Sequence, residues 1–411
     1  MTPKEFLNWY SFDPRMVTGE YISPDPVEIE DGDTLGIVLL NMGGPSDLDE
    51  IQPFLYHLFM DPAIIDIPLP GFLRDWLCRF IAWKRANAKE EEYEAIGGGS
   101  PLNEISRQQA EGLEDRLRDQ FSETGVDVHT YIAMRYSPPL TEETAQKMAD
   151  DGIDKVLLLP LYPQYSKTTT GSSLSYWYAL EGNGTIPDRP TTFVKEYATQ
   201  PTYIRALSER IDEGLDNLPD EVREDTELLF SAHGTPVYEM TDRRDPYCCL
   251  VHSTIKALMV HRDHDRPFHS AFQSQVGPAE WFGPSVPEKL DELADRGVRS
   301  LLVIPIAFVS DHIETDFELD IEAREEAEKF GIEHYEVMNG LNDHPLFIQA
   351  LTEIALSQLT LAEPVRNTLK ENGDQVSFLP QTERPRAREK DRETRCRHCD
   401  HVTEALCWSA E

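Results

Sequence analysis

The chain is poor in cysteine, short of cations and free of long apolar runs. Six Cys in 411 residues are too sparse for a disulfide framework, and a chain of this length needs no staple to fold. Lys and Arg number 38 against 75 Asp and Glu, a formal net charge of -37. Sequence-independent nucleic-acid binding needs a cationic surface, so that deficit excludes it. It equally excludes docking on an anionic membrane by charge alone. The acid excess reads as a solvated, self-repelling surface. Apolar stretches such as Val156–Leu161 fall far short of the roughly 18–20 residues that span a bilayer. The first 14 residues hold no apolar core of signal-peptide length. Nucleotide signatures are missing too: Gly97-Gly98-Gly99-Ser100 lacks the Lys of a phosphate loop, and no GxGxxG follows a strand. These absences point to a cytoplasmic protein.

What is present is an alternation of strands and helices. Short apolar runs at Leu35–Asn41, Tyr131–Met134, Lys155–Leu161 and Thr192–Val194 are separated by helix-like stretches, the pattern of a parallel sheet covered on both faces. The order then recurs. GIVLLNMGGP is answered by ELLFSAHGTP, HTYIAMRYSPP by HSAFQSQVGP, and DDGIDKVLLLPLYPQYSKTT by DRGVRSLLVIPIAFVSDHIET. Such repetition predicts two similar Rossmann-like α/β domains facing a central cleft. The expected boundaries are a lead-in over 1–33, a first domain over 34–200 with an insertion at 46–103, a second over 201–362, and a linker with a Cys-rich tail over 363–411. The last helix of the second domain is a candidate to pack back on the first.

Open α/β sheets bind ligands beyond the carboxyl ends of their strands. By that rule Met42, Arg135, Tyr136, Tyr165, His233, Trp281 and the stretch 310–314 would line the cleft. His233 ends a strand, where an imidazole with a pKa near neutrality serves as base, metal ligand or simply turn partner. His312 and Glu314 lie two apart at another strand exit. Glu314, Glu318 and Glu322 then recur every four residues, stacking on one helical face. Like charges at that spacing repel, so the row is either a solvated face or a relay for protons or cations. An imidazole from one half and a carboxylate from the other suit a borderline divalent ion such as Fe²⁺, and equally the removal of protons from a ligand. Glycine-rich turns leave two readings open, plain loops or close approach to a bulky planar ligand. From Leu69 to Phe80, apolar residues fall at spacings of three and four around Arg74, Asp75 and Arg79. That stripe is either core packing or an apolar lip for a hydrophobic substrate or membrane contact. In the tail, Cys396, Cys399 and Cys407 supply three thiolates in a CxxC-x7-C pattern, a metal signal short of a fourth ligand.

Seven ordered peptides carry a resemblance: LNMGGPSDLDEIQPFLYHLF, YEAIGGGSPLNEIS, MRYSPPLTEE, LPLYPQYSKTTTGSSL, FSAHGTP, QSQVGPAEWFGP and IPIAFVSDHIETDFELDIE. Over about residues 35–360 the chain resembles the ferrochelatases, the terminal enzymes of haem synthesis. The resemblance implies a chelatase-like two-domain fold and a lyase that inserts Fe²⁺, as substrate, into protoporphyrin with loss of two protons. It implies catalytic roles for His233 and Glu314, both also touching the iron, with His312 and Glu318 assisting. Contacts to the porphyrin would fall on Met42, Arg85, Tyr93, Ser100, Arg135, Tyr136, Trp281 and Phe308. Animal-type and some bacterial members hold a tail 2Fe–2S cluster, but with a gap of four before the third Cys. Here the gap is seven, and Ala206 aligns with the upstream ligand. Met42 resembles the protoporphyrin branch, with coproporphyrin metallation as the alternative. A tetrapyrrole carrier without catalysis, or a chelatase for cobalt or nickel, would keep the same pocket.

Overall fold

The computed structural model describes residues 1–11, 26–243, 245–275 and 279–371. Contacts divide the chain into two compact units. Among the described residues the first holds Met1–Tyr197 together with 348–371; the second holds Ala198–Phe347. The helix Pro345–Ser357 therefore starts in the second unit and continues into the first. The sequence reading places the stretch to residue 362 in the second domain, with its last helix a candidate to pack back on the first; by contacts, residues 348–361 group with the first unit.

In the first unit four parallel strands form one sheet: β2 (Thr34–Asn41), β3 (Asp127–Met134), β4 (Lys155–Pro160) and β5 (Thr191–Phe193), in the order β3-β2-β4-β5. Seven of the eight residues of β2 are buried. A parallel strand covered on both faces has to be apolar throughout, which is why LGIVLL reads as an unbroken run. Its register sets Val38 against Tyr131 on one side and Leu158 on the other. The second unit repeats the plan with β6 (Glu227–His233), β7 (Phe268–Gln273), β8 (Ser300–Pro305) and β9 (His334–Val337), in the order β7-β6-β8-β9. Here Phe230 pairs with Ser270 and Ile304. Every residue of β8 is buried.

The parallel goes further than the sheets. Beyond β4 the chain makes a π-helical turn, Lys167–Gly171, and beyond β8 it makes a longer one, Glu314–Glu322. Wide turns of this kind are rare and concentrate at functional positions. The first unit has a further clasp, in which β1 (Val27–Ile29) pairs in parallel with β10 (Leu359–Leu361). Lys155 Nζ ties it to the sheet, donating to the Glu28 carbonyl at 2.7 Å and pairing with Asp33 at 3.0 Å. Residues 3–9 of the lead-in form a short helix whose Phe6 is 1% exposed within the first unit's core.

Candidate active site

The glycine motifs first serve packing. Gly43 has φ +79, and a Cβ there would lie 2.1 Å from Ser137 Oγ. A Cβ on Gly99 would lie 2.3 Å from the Ser46 carbonyl oxygen, and Ser100 N donates to the Pro45 carbonyl at 2.8 Å. The LNMGGP and GGGS turns thus interlock with each other, at distances only glycine allows.

In the second unit the strand ends bring five of the expected residues together, and imidazole and carboxylate come from the same half, not from opposite ones. His233 closes β6, and its Nδ1 lies 2.6 Å from the Gly234 carbonyl. A carbonyl accepts only, so Nδ1 is the donor there, and in the neutral ring Nε2 carries the lone pair. That Nε2 is 3.7 Å from Glu314 Oε1. On the other side of the same carboxylate, His312 Nε2 is 3.8 Å from Glu314 Oε2, while His312 Nδ1 is 3.1 Å from the Ser310 carbonyl. Burial pushes the His312 pKa down, but the Glu314 and Asp316 carboxylates outweigh it and the net shift is upward. Phe308 packs its ring 4.4 Å from that of His312 and 6.5 Å from that of His233. Trp281 lies against the SAHGTP turn, where a Cβ on Gly234 would come within 3.2 Å of the indole.

The acidic row occupies the π-helical turn, whose width keeps residues four apart nearer one line than an α-helix does. Exposure grows along it. Glu314 has a side chain 15% exposed, Glu318 is half-buried and Glu322 is exposed. Two residues that the sequence reading did not single out hold the middle carboxylate. Ser274, with φ +62, donates its hydroxyl to Glu318 Oε2 at 2.5 Å. Gln273 accepts from Ser231 Oγ at 2.7 Å and donates to the Glu314 carbonyl at 3.2 Å and to Glu318 Oε2 at 3.4 Å. A third, Tyr247, is buried, and both burial and the Glu314 charge push its phenol upward. QSQVGP was visible as a motif, yet nothing in one sequence says which of its side chains reaches across to another strand. Asp311 serves the loop: it accepts from Gly340 N at 2.7 Å and Asn342 Nδ2 at 2.6 Å.

The other expected contacts lie in the first unit. Met42 is half-buried, with its N–H held by Asn41 Oδ1 at 2.9 Å. Ser100 is half-buried, Tyr93 is buried and Arg85 is exposed, its guanidinium 5.8 Å from the Phe59 ring. Arg135 and Tyr136 are buried and both bond Asp61, at 2.8 and 2.7 Å. Burial opposes the Arg135 charge, but Asp61 overrides it and raises the guanidinium pKa. Tyr165, expected on a ligand face, is fully buried, with its hydroxyl against Gly171. Within Leu69–Phe80, the helix Gly71–Ala95 turns its apolar stripe outward: Phe72 is 66% and Trp76 67% exposed, while Arg74 and Cys78 face inward. Core packing is thereby excluded for the stripe. Arg74 caps the Phe59 and Ile65 carbonyls at 3.1 and 2.8 Å instead. Cys396, Cys399 and Cys407 lie outside the described residues. Ala206 is fully buried and has no ligand atom to offer.

A family model, Ferrochelatase, matches residues 34–359, most of the chain. The chain belongs to the ferrochelatase family. Ferrochelatases are lyases of haem biosynthesis that insert ferrous iron, as substrate, into a porphyrin. A ferrochelatase from Synechococcus elongatus is 41% identical over 341 residues, covering 80% of this chain and 83% of that protein. One from Gloeobacter violaceus is 42% identical over 330 residues, covering 79% of this chain and 98% of that protein. Among solved structures, SirB from Bacillus subtilis with Fe3+ aligns over 84% of this chain and all of its own, at TM-score 0.45 and 12% identity. In the present ferrochelatase, no three His, Cys, Asp or Glu among the described residues form a group that could hold a metal ion.

Asp316, on the same turn as Glu314, is pushed up to about 6, first by burial and then by the Asp311 charge. A carboxyl whose folded pKa exceeds its unfolded one holds its proton more tightly when folded, so its contribution to stability is complete below about pH 4 and is lost as pH rises through about 6. Asp316→Asn should therefore gain stability over the parent progressively between those two values. Urea-denaturation midpoints measured across that range check this, and a constant difference would contradict it.

Proposed function

We propose that this ferrochelatase converts Fe²⁺ and protoporphyrin IX to protohaem and two protons, with the cluster at His233 and Glu314 carrying the chemistry. The observation behind the reading is the His233 Nε2 to Glu314 Oε1 approach of 3.7 Å, with Nδ1 turned onto the Gly234 carbonyl. A free porphyrin must lose two pyrrole N–H protons before its four nitrogens can hold a metal. The neutral His233 ring accepts them at Nε2 one at a time, handing on the first before it takes the second. Glu314 stands next in line, between His233 and His312, and passes protons to Glu318 and on to exposed Glu322. Because exposure rises along this row, a proton leaving by it meets progressively better solvation. His233 and Glu314 also offer Fe²⁺ one nitrogen and one oxygen donor on its way in. Met42, Arg85, Tyr93, Ser100, Arg135, Tyr136, Trp281 and Phe308 are the proposed macrocycle contacts. Rigid walls that bend a flat macrocycle expose its lone pairs and protons.

The deciding measurement is an anaerobic metallation assay with Fe²⁺ and either protoporphyrin or coproporphyrin, run in parallel. The reading expects a haem Soret band with protoporphyrin. Faster coproporphyrin turnover would move the protein to the alternative substrate, and binding without metallation would make it a carrier. His233→Ala should lower turnover by roughly 10²–10⁴-fold, the usual share of a positioned base, while porphyrin still binds. Full activity in that variant removes His233 from the mechanism.

Among the described residues no helix is long and apolar enough to cross a membrane. The outward ladder of Phe72, Leu73, Trp76, Phe80 and Trp83 suits peripheral contact instead. Co-flotation with neutral phosphatidylcholine vesicles should drop sharply in a Trp76→Ser/Phe80→Ser variant. Unchanged flotation, or none in the parent, would count against membrane contact.

The three tail thiolates support a 2Fe–2S cluster by donor type alone, and a buried Ala206 leaves its fourth ligand to be supplied elsewhere. Anaerobically purified protein should be coloured, with visible absorption that disappears in Cys396→Ser. A colourless, iron-free preparation rules the cluster out.

A further inference from the structure

One buried ion pair in the first unit has no part in the proton path. Asp61 follows the helix Ile51–Met60 and is 1% exposed. Its Oδ2 receives Arg135 Nη2 at 2.8 Å, the Tyr136 hydroxyl at 2.7 Å and the Ser172 hydroxyl at 2.6 Å. Its Oδ1 receives Ala63 N at 2.8 Å. Four donors on one carboxylate complete its bonding. The guanidinium is fixed as thoroughly: Nε reaches Ser172 Oγ at 3.3 Å, and the rings of Tyr176 and Phe6 lie 3.8 and 4.7 Å from its carbon.

Buried ion pairs are weak contributors to stability, since desolvation consumes most of the attraction. What such a pair does supply is geometry. Arg135 and Tyr136 follow β3 directly, and their backbone N–H groups donate to the carbonyls of Asn41 and Met42, both at 2.9 Å. Asp61 therefore holds two side chains whose main chain in turn holds Met42, and all three are proposed walls for the macrocycle. Without the carboxylate, a buried cation and a phenol would each seek a new partner, and the strand end would shift with them.

We infer that Asp61 is a positioning residue for porphyrin, acting through Arg135 and Tyr136 to fix the strand end that carries Met42. This rests on the reading that the strand end touches the macrocycle. Asp61 touches no reacting atom, so its effect belongs in substrate affinity and not in proton removal.

The test uses the full-length protein with protoporphyrin and Fe²⁺, reading porphyrin KM, kcat and their pH profiles. Asp61→Asn keeps the shape and loses the charge. It should raise porphyrin KM roughly tenfold, with kcat and its pH profile close to the parent's. Ser172→Ala keeps both charges, removes one donor, and should raise KM by about threefold. It carries the test if Asp61→Asn does not fold. In an Arg135→Met background the Asp61→Asn change should add little to KM, because the partner it acts through is gone. An unchanged KM in both Asp61→Asn and Ser172→Ala overturns the inference, as does a loss of kcat with KM intact. If Arg135→Met itself leaves porphyrin KM unaltered, the strand end is not a macrocycle contact. If the parent metallates no porphyrin, the functional reading fails independently.

Discussion

The proposed chemistry depends on one carboxylate held between two imidazoles. Glu314 faces His233 at 3.7 Å and His312 at 3.8 Å, and each ring turns its proton-bearing nitrogen away, onto a backbone carbonyl. Nε2 of each ring is thereby the nitrogen that faces Glu314. That arrangement requires β6 and β8 to end at the same level of the sheet. The parallel register from Glu227 opposite Leu301 to Ser231 opposite Pro305 provides it. Everything downstream, including the widened turn and the Ser274–Glu318 bond, elaborates on this placement.

The wide turn deserves a physical reading beside its charges. Carboxylates spaced four apart repel on a helix, yet the row here is braced by neutral donors. Ser274 and Gln273 contribute hydrogen bonds to Glu318 without adding a cation that would quench its charge. That brace comes at the cost of a left-handed backbone at Ser274. Asp316, on the same turn, is raised to about 6 first by burial and then by the Asp311 charge.

Much of the fold was legible from the chain. Strands buried on both faces have to be apolar throughout, so β2, β4, β6 and β8 announced themselves, and the repeated order of motifs announced the doubled plan. The row of Glu was legible because its spacing is local. Three things were hidden for physical reasons. Periodicity shows that a helix has two faces without saying which one is covered, and so Leu69–Phe80 stayed ambiguous until Phe72 and Trp76 were found outward and Arg74 inward. Long-range partners such as Asp61 with Arg135, or Gln273 with Glu318, arise only when distant segments meet. The glycine turns read equally as plain loops or as ligand contacts, and Gly43 and Gly99 are needed first to let backbone meet neighbouring atoms.

The pairing of β1 with β10 has a consequence for synthesis. Val27–Ile29 emerges early from the ribosome, but its partner Leu359–Leu361 comes more than three hundred residues later. Among the described residues the second unit is one stretch, Ala198–Phe347, able to complete itself first. The first unit is discontinuous and has to wait, its sheet formed but its clasp open, until nearly all the chain has been made. Long-separated contacts of this kind slow folding, so the earlier-made half is the later one to be finished.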